Sequence, residues 1–234
     1  MKFFTGFSTF LVADFLVSGV YAATCNRGPE IVPRDGWGAR PPTKVEPMQN
    51  PVPFVVIHHS YIPAACYNEE DCITAMKWMQ DYHQLNHSWN DIGYSFVSGG
   101  DNRIYTGRGW SSVGAHAPGY NNKSIGICLI GDWRAQVPPE SQLTTVKQLI
   151  QKGIKEGFIQ EDYKLVGHRQ VKSTECPGDA LFAEIQTWPH WVEDPNDDPV
   201  LLKTSQIIKE GLKPDPRENP SETNKLQRRH LLQS

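Results

Sequence analysis

Histidine and cysteine side chains stand where two predicted strands end, in the pattern of a metal centre. The apolar run 52–57 ends at His58 and His59, a shorter run ends at His168, and Cys176 follows in a polar turn. Because the ends of neighbouring strands meet at one edge of a sheet, these side chains can supply two imidazoles and one thiolate. Such a donor set with an open fourth position is typical of zinc. The spacing leaves His58 and His59 as alternatives, because consecutive strand residues point to opposite faces.

The chemistry of such a centre is hydrolysis. Zinc lowers the pKa of a bound water to about 7 and so provides a nucleophile at neutral pH. A histidine at a strand end, however, is more often a hydrogen-bonded structural residue. The spacing from His168 to Cys176 is also not that of a zinc finger. The spacing by itself therefore leaves both a zinc hydrolase and a structural role for these residues open.

The chain has five cysteines, so in an oxidising compartment at least one has another role or a partner elsewhere. Cys66 and Cys72 are close enough in sequence to form a disulfide that pins a loop to the start of a helix. Cys128 lies in an apolar strand and is expected to be a small core residue. Cys176, in its polar turn, suits a ligand or a nucleophile, and Cys25 has no assignment.

Interleaved strand and helix patterns predict a single α/β domain with a mixed sheet. The predicted strands cover residues 52–57, 92–98, 103–106, 124–130 and 164–166. The predicted helices cover residues 69–85, 141–155 and 179–187. The second helix places Leu143, Val146 and Ile150 on one face, which is the apolar stripe of a helix that packs on a core.

Composition and the two ends of the chain limit the partners. Lysine plus arginine number 23 against 26 aspartate plus glutamate, and a net charge of −3 excludes a dedicated nucleic-acid binder. Residues 1–23 have the positive start, apolar centre and small final residues of a secretory signal peptide. The domain is expected over residues 24–192, followed by a polar, disordered tail over residues 193–234. No other apolar run reaches the about 18 residues of a membrane span.

Several short motifs are shared with one known family. They are the runs Pro33–Arg40, Asn90–Phe96, Gly107–Trp110, Gly114–His116, Ile125–Ile127 and Gly167–Arg169. In these runs and in the Cys66 and Cys72 pair, the chain resembles the peptidoglycan recognition proteins, the eukaryotic branch of a group of zinc amidases. Residues 116–133 and 167–178 are similar to the LB subtype of insects. The resemblance implies a central mixed β-sheet flanked by three helices, with a groove that leads to a zinc ion.

The resemblance also implies a role for each residue of the centre. The zinc ligands would be His58, His168 and Cys176, so the resemblance, and not the spacing, selects the first histidine of the pair. Tyr94 matches the tyrosine that hydrogen-bonds the zinc-bound water or the developing oxyanion. Thr174 matches a residue near the scissile carbonyl.

A further set of residues would line the groove and contact glycan or peptide. They are His59, His83, His87, Ser88, Trp89, Arg108 and His116. Arg108 matches the residue that pairs with the extra carboxylate of meso-diaminopimelate, a role that suits a planar cation. Ser88 stands where relatives with this preference have glycine, which weakens the prediction of specificity. The acid that protonates the leaving amine is not identified, and His116 and Tyr94 are the alternatives.

The resemblance implies one of two functions. Relatives that have lost a zinc ligand survive as receptors that bind peptidoglycan without hydrolysing it, whereas this chain keeps every ligand. The predicted function is therefore a secreted, monomeric zinc amidase that hydrolyses N-acetylmuramoyl–L-alanine bonds in bacterial peptidoglycan of the diaminopimelate type. Such an enzyme would remove immune-eliciting muropeptides and damp innate immune signalling. The alternative is a non-catalytic peptidoglycan-binding receptor.

Overall fold

A mixed β-sheet of six strands runs through residues 28–197, the part of the chain that the computed structural model describes. Its strands are β1 (Glu30–Val32), β2 (Val52–His59), β3 (Phe96–Ser98), β4 (Arg103–Thr106), β5 (Ser124–Leu129) and β6 (Ile159–Gly167). In space the order is β1-β4-β3-β5-β2-β6. The β3–β4 pair is antiparallel and the other pairs are parallel, which confirms the predicted mixed sheet.

Helices cover both faces of this sheet. They are α1 (Glu69–Asp81), α2 (Glu140–Lys155), the single turn α3 (His168–Val171) and α4 (Asp179–Ile185). A 3-10 turn covers Asp35–Trp37. Helix α1 packs on one face of the sheet, and α2 and α4 pack on the other. The three predicted helices are α1, α2 and α4, so the α/β prediction is confirmed, and α3 is an addition that carries His168.

Strand β2 lies inside the sheet because its sequence is apolar on both faces. Val55, Val56 and Ile57 are completely buried, and each such side chain contributes about 1.5–3 kcal/mol on burial. Val55 and Ile57 contact the core on the α2 and α4 side, whereas Val56 belongs to a separate cluster on the opposite face. The same alternation continues into the two histidines that end the strand.

The start of α1 is held by a cap and by a disulfide. The side chain of Asn68 accepts a hydrogen bond from the Asp71 amide at 2.9 Å, as an N-cap residue does. Cys66 and Cys72 are disulfide-bonded with their Cα atoms 5.2 Å apart, which confirms the predicted pair. Cys128 is fully buried in β5, as predicted for a core residue.

Several elements differ from the sequence prediction: β1 was not predicted, and β6 begins at Ile159 instead of residue 164. Two further differences shape the site. The helix predicted over 69–85 ends at Asp81 and continues as a π-helical turn, Tyr82–Asn86, which turns His83 inward. The strand predicted over 92–98 begins only at Phe96, because the carbonyls of Gly93, Tyr94 and Ser95 accept hydrogen bonds from the amides of neighbouring loops. The amide of Arg108, for example, donates to the carbonyl of Tyr94 at 3.0 Å.

The predicted signal peptide lies outside the described residues, as do Cys25 and most of the predicted tail. The first tail residues still contact the domain. Lys164 Nζ donates to the carbonyl of Pro195 at 3.2 Å, and Gln170 Nε2 donates to the carbonyl of Glu193 at 2.8 Å. Within residues 28–197, no helix is long and apolar enough to cross a membrane.

Candidate active site

Three predicted ligands meet at one edge of the sheet. His58 lies at the end of β2, and His168 begins α3 directly after β6, the strand that pairs with β2 up to Ile57 and Gly167. Cys176 comes from the loop between α3 and α4. One ligand atom from each of His58, His168 and Cys176 lies within 4.8 Å of the other two. The chain thus brings two imidazoles and one thiol together, which is the donor set of an open zinc site.

Strand alternation decides which histidine of the pair faces this centre. His58 pairs in register with Cys128 of β5 and points its imidazole to the α1 side, where it is 1% exposed. His59 points the other way, and its Nδ1 accepts a hydrogen bond from the Trp133 amide at 3.3 Å. Cys176 and His168 lie on the face of the sheet to which His58 points. The tertiary structure therefore selects His58, and not His59, as the third donor.

A second histidine orients the ring of His58. The Nδ1 atom of His116 is 3.0 Å from Nε2 of His58, so the other ring nitrogen of His58 is left to face Cys176, whose Sγ is 3.8 Å away. Partners of this kind hold metal-binding histidines in one tautomer and one orientation. His116 is itself only 6% exposed, so it contacts the centre from the interior of the protein.

Two neighbours keep His116 in place. Asn121 Oδ1 accepts hydrogen bonds from the amides of His116 and Ala117, both at 2.8 Å. The ring of His116 lies against the backbone of β5 at Gly126, where an added Cβ would be 2.6 Å from its Nδ1 atom. Glycine is required at this point of the strand because the imidazole occupies the space of a side chain.

Contacts with β2 and between α3 and α4 hold the loop that carries Cys176 in place. The amide of His59 points to Cys176 Sγ at 3.4 Å, and Arg169 forms an ion pair with Asp179 at 2.6 Å. Gly178 turns the chain into α4 with φ 93°, a backbone region that favours glycine. These contacts set the distance between the thiol and the two imidazoles.

Burial controls the charge state of each donor. It lowers the pKa of His58 well below its ordinary value, with further lowering by His168 and His116. Burial, with help from the charge of Lys172, lowers the pKa of His168 to about 4. Burial raises the pKa of the Cys176 thiol to about 12. The imidazoles are therefore neutral at pH 7 with lone pairs to donate, and the thiol needs a nearby cation to ionise.

Two open clefts meet at the centre and share Tyr94 and His168. The first, here called the Thr174 cleft, has a volume of about 390 Å³ and is lined by His59, Ser60, Tyr61, Tyr94, Arg134, His168, Thr174, Glu175 and Cys176. The second, the Trp89 cleft, has a volume of about 330 Å³ and is lined by His58, His83, Trp89, Tyr94, Ala115, His116, Pro118, Asn121, His168 and Lys172. The centre is thus reached from two sides.

Most residues predicted for the groove lie in or beside these clefts. His83 and Trp89 stack with ring centroids 4.8 Å apart, and His83 Nδ1 accepts a hydrogen bond from the Gly93 amide at 3.1 Å. His87 does not line either cleft but stacks on Trp89 at 5.2 Å. Ser88 has φ 55°, a conformation that glycine adopts more easily; it is exposed and lines neither cleft.

Arg108 lies in a different place from the other predicted groove residues. It lines a cleft of about 220 Å³ together with Arg34, Lys44 and Asp91, and this cleft shares no residue with the two around the centre. Its Nε donates to the carbonyl of Ile92 at 2.7 Å, and Nη1 donates to a second backbone carbonyl at 2.8 Å. The pairing of Arg108 with a substrate carboxylate stays a prediction.

Several residues of the site were not predicted from the sequence. Asn121 and Gly126 act only through His116, and Lys172 joins the Trp89 cleft because α3 ends directly before it. The glycine of the motif Ile125–Ile127 could have been singled out, because a glycine inside an apolar strand marks a close approach by another group. Nothing in the sequence around Lys172 predicts its position.

The fold is shared with known proteins. A family described as N-acetylmuramoyl-L-alanine amidase matches residues 48–179. Peptidoglycan-recognition protein LB of Drosophila melanogaster is 54% identical over 178 residues, which are 76% of this chain and 77% of that protein. The human N-acetylmuramoyl-L-alanine amidase is 44% identical over 166 residues, which are 70% of this chain but 29% of that longer protein.

A solved structure agrees with these relatives. A mutant of Drosophila PGRP-LB in complex with tracheal cytotoxin superposes with a TM-score of 0.69 and 57% sequence identity, covering 70% of this chain and 96% of that one. The chain belongs to the N-acetylmuramoyl-L-alanine amidase family. Within that family it resembles the LB subtype of the peptidoglycan-recognition proteins.

Proposed function

We propose that this protein is a zinc-dependent amidase that hydrolyses the bond between the N-acetylmuramoyl group and L-alanine in peptidoglycan. The observation that carries the proposal is the convergence of His58, His168 and Cys176 at the meeting point of two clefts, in a chain of the amidase family. A receptor that only binds peptidoglycan would have no need for three metal donors at this position.

The donor atoms fit a zinc ion. His168 Nε2 is buried, and no hydrogen-bond partner for it lies among the described residues, as expected for an atom reserved for a metal. The ring of His58 is already oriented by His116, and both imidazoles are neutral at pH 7. When bound, zinc supplies a Lewis acid and an activated water nucleophile.

Tyr94 and Thr174 provide the hydrogen-bond donors that hydrolysis of an amide requires. Burial, reinforced by the nearby thiols of Cys128 and Cys176, raises the pKa of Tyr94 well above its ordinary value. The phenol therefore keeps its proton at neutral pH and can donate to an oxyanion that develops on the scissile carbonyl. Thr174 Oγ1 accepts from the Cys176 amide at 3.2 Å, which leaves its own hydroxyl proton free to donate into the cleft.

Of the two alternatives for the acid that protonates the leaving amine, Tyr94 is the better supported. Burial, with the charges of His168 and Arg108, lowers the pKa of His116 to about 3, so its imidazole carries no extra proton at pH 7. Its Nδ1 is also engaged with His58. We therefore assign His116 as a positioning residue. Tyr94 would relay to the amine a proton that the attacking water releases, so the phenol would stay protonated overall.

The substrate is proposed to be a muropeptide of the diaminopimelate type. Support comes from the related PGRP-LB structure, whose ligand, tracheal cytotoxin, is a monomeric diaminopimelic acid-type peptidoglycan. The stacked rings of His83 and Trp89 form an apolar wall for the stem peptide. Arg108 and Ser88 are proposed to set the preference for the third stem residue, and His59 and His87 to contact the ligand.

The setting of the enzyme is also a proposal. The Cys66–Cys72 disulfide suits an oxidising compartment. We propose that residues 1–23 direct secretion and that residues 24–192 act as a monomeric domain, followed by a polar tail over residues 193–234. An enzyme placed outside the cell would remove immune-eliciting peptidoglycan fragments and so damp innate immune signalling.

The test is hydrolysis of a diaminopimelate-type muropeptide by the purified protein, followed as release of free stem peptide by mass spectrometry. Release should stop with a zinc chelator, return with added zinc and be absent in Cys176→Ser. His190→Asn is the matched control, because His190 lies far along the chain from the centre at φ 66°, which asparagine tolerates. Saturable binding by the wild type with added zinc, without release, would reject the amidase and favour the receptor.

A further inference from the structure

The wall of the Trp89 cleft carries one charged side chain. Among the described residues that line it, Lys172 is a cation, and the others are aromatic, imidazole, small or amide side chains. The cleft therefore presents a single positive charge and no carboxylate to whatever binds in it.

Lys172 is attached to the centre through a short, fixed segment of backbone. Its amide donates to the carbonyl of His168 at 3.1 Å and so closes the single turn of α3. The side chain is exposed, and in residues 28–197 no carboxylate lies within ion-pair distance of its ammonium group. The base of the side chain is thus held one helical turn from a metal donor, and its charge is uncompensated.

The other cations near the centre are already paired. Arg134, on the Thr174 cleft, bonds to Asp132 at 2.8 Å and approaches Glu175 at 3.7 Å. The guanidinium of Arg108 donates to backbone carbonyls. The ammonium group of Lys172, unlike these two guanidiniums, is therefore available to bind an incoming anion.

We propose that Lys172 is a specificity residue that pairs with a carboxylate of the stem peptide close to the hydrolysed bond. This inference rests on the proposed function. The carboxylate with the right chemistry is the α-carboxylate of the γ-linked D-glutamate, the second stem residue, which some peptidoglycans carry as a carboxamide. A lysine suits this task because its ammonium group rotates freely and reaches a mobile carboxylate in an open cleft.

The experiment compares two muropeptides that differ only in this group, the free α-carboxylate and the α-carboxamide. Wild-type protein is expected to show a KM about three- to tenfold lower for the carboxylate, the range of a partly exposed charged hydrogen bond. In Lys172→Met the two KM values should become equal. Lys172→Arg should keep the preference. High salt should reduce the preference in the wild type, because the pair is open to solvent.

Lys155→Met is the matched control, because Lys155 is an exposed lysine in the last turn of α2 and lines none of the clefts around the centre. The Lys172 inference is overturned if wild type treats both muropeptides alike, or if Lys172→Met retains the preference. If wild type with zinc neither binds nor hydrolyses either muropeptide, the proposed function fails and this inference fails with it. If wild type binds both without hydrolysis, the Kd values of wild type and Lys172→Met for the two muropeptides replace KM and decide the Lys172 inference separately.

Discussion

Replacing His116 by alanine is expected to weaken zinc binding without unfolding the protein. The structure shows His58 almost completely buried, with its Nε2 atom 3.0 Å from His116 and its other ring nitrogen turned towards Cys176. Without His116, the Nε2 proton of His58 has no partner as long as the ring keeps its metal-binding orientation. In the metal-free protein the ring proton can instead lie on Nδ1, which faces Cys176, so the penalty falls mainly on the zinc-bound state.

The size of the effect follows from the unmade hydrogen bond. A buried donor without a partner costs about 1–3 kcal/mol. That range corresponds to a loss of about 5- to 150-fold in affinity, since 1.4 kcal/mol is about tenfold. Loss of an outer partner of a metal-binding histidine typically weakens metal binding by about 10- to 100-fold, which lies within the range calculated from the hydrogen bond. We therefore expect His116→Ala to raise the zinc Kd by about 10- to 100-fold.

The assay is competition for zinc against a colorimetric chelator at pH 7.5, with urea unfolding of the metal-free proteins as the measure of folding. His116→Gln is the conservative variant, because its amide oxygen can accept the proton of His58 and should recover part of the affinity. An unchanged zinc Kd in a folded His116→Ala protein would refute the orienting role. Equal losses in the alanine and glutamine variants would refute the hydrogen bond as its cause.

Three further predictions follow from the same geometry. Gly126→Ala should displace the ring of His116, because the added Cβ would lie 2.6 Å from Nδ1, and should cost about 1–3 kcal/mol of stability and weaken zinc binding. Burial lowers the pKa of His83 from 6.5 to about 4, so the unfolded chain takes up a proton that the folded chain resists. Stability is then lost as the pH falls from 6.5 towards 4, by about 2 kcal/mol at pH 5, and His83→Gln should flatten this part of the urea-unfolding profile. Cys66→Ser with Cys72→Ser should lower stability by about 2 kcal/mol, the chain-entropy contribution of so short a loop.

Each of these expectations has an outcome that contradicts it. A Gly126→Ala protein with wild-type zinc affinity would show that His116 has more room than its contacts indicate. A His83→Gln profile parallel to that of the wild type between pH 6.5 and 4 would assign the acid sensitivity to other groups. Unchanged unfolding of the double serine variant would mean that the disulfide fixes loop geometry and contributes nothing to stability.

Much of the fold could be predicted from local patterns. The apolar run that became β2 and the periodic stripe of α2 are determined by period and side-chain type, which do not depend on distant contacts. The prediction was wrong at 82–86, where a π-helical turn replaces the regular helix, and at 92–95, where the strand starts late. At 92–95 the backbone carbonyls accept hydrogen bonds from loops farther along the chain, which no local pattern contains. At 82–86 the widened turn closes locally, with a bond from the His87 amide to the Tyr82 carbonyl, and the apolar period does not distinguish it from a regular helix.

The donor types of the candidate site were likewise visible in the sequence. Two histidine positions at strand ends and a cysteine in a polar turn define the chemistry of a centre, because imidazole and thiolate are zinc ligands wherever they stand. The family resemblance added Tyr94 and Thr174, and both line the clefts that meet at the centre. The residue types alone therefore determined which reaction class was possible.

The tertiary structure decided which of these residues act together. His58 and His59 are equivalent by spacing, and only the position of β2 in the sheet separates the face with His168 from the face with Trp133. Packing between segments that are distant in sequence places His116 against His58 and places Lys172 in the lining of the Trp89 cleft. The physical reason is that a sequence specifies donor chemistry residue by residue, whereas the distance between two donors depends on how the whole sheet pairs and what packs upon it.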